Sequence, residues 1–116
     1  MEGRGALYYV NGELAYEGEW SQDQLHGYGV LYNENPVYIT DPIDWKHLDQ
    51  VQACWVKYEG NFAQDMKQGE GTLYMTNGEY FRGEFKNDLP NGKGFFRVEN
   101  NQLIKGIWKE GVLERT

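Results

Sequence analysis

The sequence predicts an all-β fold: a single-layer antiparallel meander, or solenoid, of stacked β-hairpins with one inserted loop or short helix. Three observations predict it. Gly60, Gly83 and Gly106 are each separated from the next by 23 residues. Aromatic residues stand two positions before and after a central glycine, as in Tyr58-Glu59-Gly60-Asn61-Phe62, and a Gly-x-Gly pair such as Gly69-Glu70-Gly71 begins nine residues after it. A fixed period with constant internal spacing is the signature of a repeat architecture.

Each full unit is predicted to form two strands joined by a polar turn. In the first strand Tyr16, Gly18 and Trp20 face one way while Glu17 and Glu19 face the other, which is the period-2 pattern of a half-buried strand. The second strand carries the Gly-x-Gly pair, and turn-forming residues separate it from the first, so each unit is a β-hairpin. The single predicted domain, residues 1–116, divides into a half-repeat at 3–12, repeats at 16–32, 58–78 and 81–101, and a half-repeat at 103–113.

The two half-repeats place the chain ends midway through a unit. The interval from Gly5 to Gly12 is seven residues, as it is from Gly71 to Gly78, so residues 3–12 correspond to a second strand. At the other end Ile104 replaces the usual aromatic residue, and no Gly-x-Gly strand is expected after the turn. Both end strands are then open edges, which can template another strand. We therefore expect either end-to-end self-association, in which β-strand ends of two copies complete one repeat by a head-to-tail contact that does not close on itself, or a neighbouring protein whose strand or loop covers the ends. Arg4, Lys105 and Lys109 put charge on both edges and favour the second.

Residues 33–57 interrupt the period and are predicted to be an insertion. Only six residues separate Tyr74 from Phe81, but 25 separate Tyr32 from Tyr58. Asp41-Pro42 suits the start of a short helix through Trp45 and Leu48, and the residues from Val51 to Lys57 are expected to lengthen the next strand. The segment is too apolar to be a solvated tether. It either folds back over the exposed side of its own sheet or serves as a docking element for another protein.

These repeated motifs resemble the MORN (membrane occupation and recognition nexus) repeat. Asn11-Gly12 and Asn77-Gly78 match the turn in the tail of its consensus, and the resemblance covers the chain outside residues 33–57. It implies a structural, protein-interaction module: a scaffold or subunit that grips partner helices in a multi-subunit cytoskeletal, ciliary (axonemal) or membrane-junction assembly. The expected location is intracellular, in the cytoplasm, cytoskeleton or cilium. Two alternatives stay open, a phosphoinositide- or membrane-binding adaptor and a regulatory module of a larger protein.

Charge and cysteine content narrow the partner classes. The net charge of −7 argues against nucleic acid and against a generic anionic membrane surface. Residues 1–57 carry a net charge of −6 and residues 58–116 a net charge of −1, so the C-terminal half is the less repulsive one for an acidic partner.

The single cysteine, Cys54, rules out an internal disulfide framework and fits a reducing compartment. No apolar run reaches the roughly 18 residues of a membrane-spanning helix.

No catalytic, cofactor or metal site is expected. His26 precedes Gly27 and belongs to a turn, while His47 with Asp41 and Asp44 offers at most two convergent ligands. Cys54 stands among apolar residues, where a thiol is usually inert. The Gly-x-Gly pairs lie within strands and not before a helix N-terminus, so they do not cradle phosphate. The sequence therefore predicts a protein that is not an enzyme.

The recurring aromatic residues are the candidate partner contacts. They recur at two positions of the first strand, so they form a row on one face of the sheet. The rings either pack on one another and on the glycines or leave a groove for an amphipathic helix or extended peptide. The predicted partner-binding residues are Tyr16, Trp20, Tyr58, Phe62, Phe81, Phe85 and Trp108, with Trp45 and Trp55 from the insertion.

Overall fold

The computed structural model describes residues 2–116 and contains one open antiparallel sheet. Each strand pairs with the next along the chain, so the spatial order is the chain order. The predicted all-β meander is confirmed. Its strands are β1 (Gly3–Tyr8), β2 (Leu14–Ser21), β3 (Gln24–Tyr32), β4 (Trp55–Ala63), β5 (Met66–Met75), β6 (Tyr80–Lys86), β7 (Leu89–Arg97), β8 (Leu103–Lys109) and β9 (Val112–Arg115).

A continuous row of glycines crosses the sheet from β1 to β8. We call the face on which Tyr16, Tyr58 and Phe81 lie the inner face, and the opposite one the outer face. Each of these rings lies over a glycine of the next strand, so a β-carbon there would overlap it; at Gly94 it would stand 2.5 Å from Cζ of Phe81. The absence of side chains along the row is therefore what lets the rings lie flat. The glycine row consists of Gly5, Gly18, Gly29, Gly60, Gly71, Gly83, Gly94 and Gly106, paired in that order.

Tight turns at one end of the strands form hydrogen bonds between successive repeats. In the β6–β7 turn Asn87 and Asp88 both have positive φ, at 51° and 75°, as the two-residue turns favoured in hairpins require. The Asp88 carboxylate accepts the backbone N–H of Lys67 at 2.8 Å, and the Asp88 N–H donates to the Lys67 carbonyl at 3.1 Å. Asp65 makes the same pair of bonds to Leu25, at 2.7 Å and 3.1 Å. Each of these turns is thus hydrogen-bonded to the second residue of the strand after the corresponding turn of the previous repeat.

The C-terminal unit extends further than the sequence predicted. Val112–Arg115 forms β9 and pairs with β8 from Ile107 to Lys109, so β8 is not a fully open edge. Leu113 lies opposite Trp108, as Leu25 lies opposite Trp20. An apolar side chain in that position starts the second strand, although the Gly-x-Gly pair is missing. A head-to-tail contact with β1 of another copy would therefore have to use the part of β8 before Ile107, which β9 leaves unpaired.

The insertion contains less regular structure than expected. Its helical part is one 3-10 turn, Leu48–Gln50, and Trp45 precedes it. Strand β4 begins at Trp55, so residues 51–54 do not lengthen it. Residues 51–54 form a turn instead, in which the Cys54 N–H donates to the Val51 carbonyl at 3.3 Å. The insertion pairs elsewhere with β9, through the bridge between His47 and Val112.

Candidate interaction surfaces

Seven aromatic rings form an unbroken edge-to-face chain along the inner face. Neighbouring ring centroids lie 4.9–5.5 Å apart and the ring planes meet at 79–84°. This is the favoured geometry of aromatic pairs, each of which contributes about 0.5–1.5 kcal/mol beyond its buried area. The chain of rings is therefore the core of the protein. It runs in the order Trp20, Tyr16, Phe62, Tyr58, Phe85, Phe81, Trp108.

The insertion folds back over this face and reaches the far end of the sheet. The indole N–H of Trp108 donates to the Trp45 carbonyl at 2.9 Å, and the Leu48 N–H donates to the Gly111 carbonyl at 2.7 Å. The Leu113 N–H donates to the Lys46 carbonyl at 2.9 Å. Ile43 and Leu48 are buried in the same cluster as the rings. Of the two interpretations of this segment, the one in which it covers its own sheet is the arrangement found.

The predicted partner contacts lie mainly in the interior. Tyr16, Tyr58 and Phe81 have no exposed surface, and Phe62, Phe85 and Trp108 are at most 3% exposed. Trp20, Trp45 and Trp55 are half-buried against the same cluster. The fold brings all nine residues onto one face, but it encloses six of them. Binding of a partner to this row stays a prediction, and it requires the insertion to move away from the rings.

Glu79 is a buried functional group that the sequence did not reveal. Its side chain is 2% exposed, and its carboxylate accepts the N–H groups of Ile43 at 2.9 Å and Glu99 at 3.2 Å and the side-chain amide of Asn77 at 2.7 Å. It therefore joins the insertion to two turns. The local motif Asn-Gly-Glu recurs at residues 11–13, where Glu13 is exposed. The sequence could not distinguish Glu79 from Glu13, because Glu79 is buried by the insertion, which packs on it and not on Glu13.

We expect Glu79→Ala to lower the free energy of unfolding by about 1–3 kcal/mol, because buried N–H groups of Ile43 and Glu99 lose their acceptor. Urea titration followed by tryptophan fluorescence measures the change. Glu13→Ala, which alters the matching exposed position, should stay within about 0.5 kcal/mol of the wild type. Equal effects of the two substitutions would refute the role of Glu79 as a clamp.

Lys67 places a cation on the aromatic face. It lies opposite Phe62, where the other repeats have Leu25 and Pro90. Its ammonium nitrogen is 5.3 Å and 5.6 Å from the ring centroids of Trp55 and Tyr58, and 4.0 Å from a carboxylate oxygen of Asp88. Burial lowers the pKa of Lys67, and the nearby Asp88 carboxylate opposes this shift. Desolvation therefore outweighs the attraction to its partners.

We expect Lys67→Met to raise the free energy of unfolding at pH 7 by about 1 kcal/mol, since replacing a buried charge by an apolar side chain is often stabilising. A lowered native pKa means that the unfolded chain binds more protons, so the wild type gains stability as the pH rises from the native pKa towards the ordinary lysine value. The advantage of the variant should therefore shrink between pH 7 and pH 10. Urea titrations of both proteins over that range measure it, and an advantage that grows with pH would contradict the assignment.

The outer face carries an open groove along the glycine row. Outward side chains form its two walls, and the part over β5–β8, which ends at Thr116, has a volume of about 560 Å³. Phe95 and Ile107 supply its apolar surface, and Arg82, Lys93 and Lys105 surround them. A smaller hollow of about 300 Å³ continues towards β3, between Tyr28 and Thr72. Unlike the inner face, this surface is not covered by another part of the described chain.

The histidine and cysteine positions show no assembled chemical site. Within residues 2–116, no three His, Cys, Asp or Glu side chains converge to hold a metal ion. His47 Nδ1 lies 2.9 Å from a carboxylate oxygen of Asp44, and this hydrogen bond lowers the pKa of the exposed Asp44 carboxyl. Cys54 is a half-buried free thiol. Throughout the same range, none of the helical structure has the length and apolar character of a membrane span.

Comparison with known proteins agrees with the repeat architecture. The sequence model of the MORN repeat matches residues 16–35, 58–80 and 81–100. No curated protein matches the chain at a significant level. MORN repeats in general mediate protein or membrane interactions and are non-catalytic structural modules. Because the three matched stretches include more than half of the residues and begin at the ring positions Tyr16, Tyr58 and Phe81, the chain belongs to the MORN repeat family.

Proposed function

We propose that this protein is a non-catalytic interaction module that binds a protein partner within a multi-subunit assembly. The observation that carries the proposal is the contrast between the two faces. The inner face is filled by its own rings and by apolar side chains from residues 39–54, whereas the outer face presents a groove of about 560 Å³ with apolar and charged walls. A rigid sheet with one face left open suits a scaffold or subunit, and a cytoskeletal or ciliary assembly in the cytoplasm is the setting we favour.

The aromatic row is a second contact within the same proposal. A partner helix or peptide would take the place of the insertion, with Phe81 and Trp108 as its central anchors. The insertion is held by backbone hydrogen bonds, by Glu79 and by the buried side chains of Ile43 and Leu48, so a partner would have to replace these contacts. Loss of the clamp in Glu79→Ala should then increase partner binding if the row is used, and leave it unchanged if only the outer face is used.

Lipid binding is the weaker candidate. The outer face has basic side chains, each contributing about 1 kcal/mol near an anionic surface. Yet Glu17 and Glu19 are exposed and Glu59 is half-buried on the same face over β2–β4, and the net charge of the chain is −7. A planar anionic membrane would meet these carboxylates together with the basic side chains, whereas a partner that contacts only the groove would not. The charge balance therefore favours a protein partner over a membrane.

Affinity capture tests the proposed function. The immobilised protein is incubated with an extract of its native source, and bound proteins are identified by quantitative mass spectrometry. A heat-denatured sample on the same support controls for nonspecific adsorption. We expect a reproducible set of proteins that survives removal of lipid by detergent. Capture that depends on lipid, together with sedimentation on phosphoinositide vesicles but not on neutral ones, would replace the protein-interaction function by the membrane one.

A further inference from the structure

The basic residues of the last four strands all project from the outer face. Residues 80–116 contain seven Lys and Arg against five Asp and Glu, a net charge of +2, whereas residues 1–79 carry −9. Strand alternation and the pairing of β9 with β8 put all seven opposite the buried rings, because Phe81, Phe96 and Trp108 point inward from β6, β7 and β8. A protein that is acidic overall thus has one basic surface. The seven are Arg82, Lys86, Lys93, Arg97, Lys105, Lys109 and Arg115.

Within the described residues, none of these seven cations lies in an ion pair, although Arg97 is hydrogen-bonded to Asn101 and lies over the Tyr80 ring. Within residues 2–116, the lysine side chains in ion pairs are Lys57 and Lys67, and neither belongs to the basic surface. Arg82 is fixed by a hydrogen bond of 2.9 Å to the Thr72 hydroxyl, while Lys93 and Lys105 are exposed. The Arg82 side chain is therefore oriented, and the charges of Lys93 and Lys105 are not paired at short range, with Glu70 and Glu84 as the carboxylates that line the same groove.

The groove adds an apolar element between the charges. Phe95 and Ile107 are half-buried in it, with Lys105 beside Phe95 and Lys93 beside Ile107 in the strand register. The carboxylate of Glu84 points at the backbone, where it accepts the N–H of Lys93 at 3.0 Å. The Glu84 carboxylate is therefore directed at the backbone and not at the ammonium and guanidinium groups of the groove. A ligand that fits must combine negative charge with an apolar side chain.

We propose that the groove over β5–β8 binds an acidic segment of a partner protein that inserts an apolar side chain between Phe95 and Ile107. The groove crosses the three strand intervals from β5 to β8, about 14 Å, which an extended peptide of about four or five residues spans. A membrane fits this face poorly: the same face over β2–β4 carries exposed Glu17 and Glu19 and half-buried Glu59, so a planar anionic bilayer would meet both charges. This inference rests on the proposed function and names the partner's chemistry.

Fluorescence anisotropy with a defined probe tests the assignment. The probe is a fluorescein-labelled 12-residue peptide of four Glu-Glu-Leu units, and a Lys-Lys-Leu peptide is its counterpart. We expect saturable, salt-sensitive binding of the acidic peptide alone. The variant Lys93→Glu with Lys105→Glu should weaken binding at least about tenfold. Arg4→Glu with Lys46→Glu gives the same net charge and should change it by less than about twofold, because both residues lie outside the groove. Circular dichroism verifies that both variants are folded.

Each other result overturns the proposal. Absent binding of the acidic peptide, equal binding of the two peptides, or equal weakening by the two variants would each reject the groove as its site. Retention on phosphoinositide vesicles that Lys93→Glu with Lys105→Glu abolishes would assign the surface to a membrane. A concentration-dependent dimer lost in the same variant would assign it to a second copy. If this variant captures the same partners as the wild type from the native extract, the interaction function stands and the surface assignment fails.

Discussion

Gly94→Val is expected to lower the free energy of unfolding by about 3 kcal/mol, at the upper end of the usual cost of overpacking. A β-carbon at this position would stand 2.5 Å from Cζ of Phe81 and 2.9 Å from the Arg82 carbonyl oxygen. Phe81 cannot move aside, because it is fully buried between Phe85 and Trp108 in the chain of rings. The strain must therefore be taken up by the sheet itself, and the urea midpoint falls.

Lys93→Val is the matched control for this substitution. It introduces the same side chain at the adjacent position of β7, but on the open outer face, where valine suits a strand. Its free energy of unfolding should remain within about 0.5 kcal/mol of the wild type. An unchanged urea midpoint in Gly94→Val would show that the Phe81 ring can be packed beside a side chain at this position. The recurrence of glycine along the row would then have a reason other than steric contact with the rings.

Trp108→Ala should lower the free energy of unfolding by about 3–5 kcal/mol, the usual cost of removing a buried Trp or Phe side chain. Trp108 is 1% exposed, its ring contacts Phe81 at 4.9 Å between centroids, and its indole N–H holds the Trp45 carbonyl. The substitution thus removes one end of the ring chain and one attachment of the insertion. Urea titration followed by circular dichroism measures it.

Trp108→Phe separates these two roles. It keeps a ring against Phe81 but loses the hydrogen bond to the insertion, so we expect a smaller loss of about 1–2 kcal/mol. Residues 43–48 should then become more accessible to protease while the sheet stays intact. A variant as unstable as Trp108→Ala would show that the indole N–H and its bond to the insertion matter more than the ring against Phe81, and equal stability of all three proteins would contradict the burial of this residue.

The repeat period made the sheet predictable because its causes are local. A hairpin depends on alternation and on the turn, and both are written within each unit, as in Tyr58–Phe62 and Asn77-Gly78. The pairing of each glycine with the next follows from the equal spacing of the units. The ring-over-glycine packing could be foreseen in the same way, since a ring needs a neighbouring position without a side chain.

The cover over the inner face could not be predicted, because its contacts are distant in sequence. Trp45 bonds to Trp108, 63 residues away, and Leu48 bonds to Gly111. Composition showed that residues 33–57 are apolar, but not what they pack against. Glu79 was missed for the same reason. Strand β9 was also missed, because Leu113 starts it without the glycine pair that marked the other second strands.

Native-state hydrogen exchange, resolved by residue with NMR, tests the central claim that the insertion closes the aromatic face. The amides of Ile43, Leu48 and Leu113 donate to Glu79, Gly111 and Lys46, across the face or at its edges. We predict that these three amides exchange nearly as slowly as those of β5 in the centre of the sheet, and much more slowly than the exposed amide of Tyr38. Rapid exchange at Ile43 and Leu48 with β5 still protected would mean that the insertion does not stay on the rings, and would return the aromatic row to the surface as the binding face.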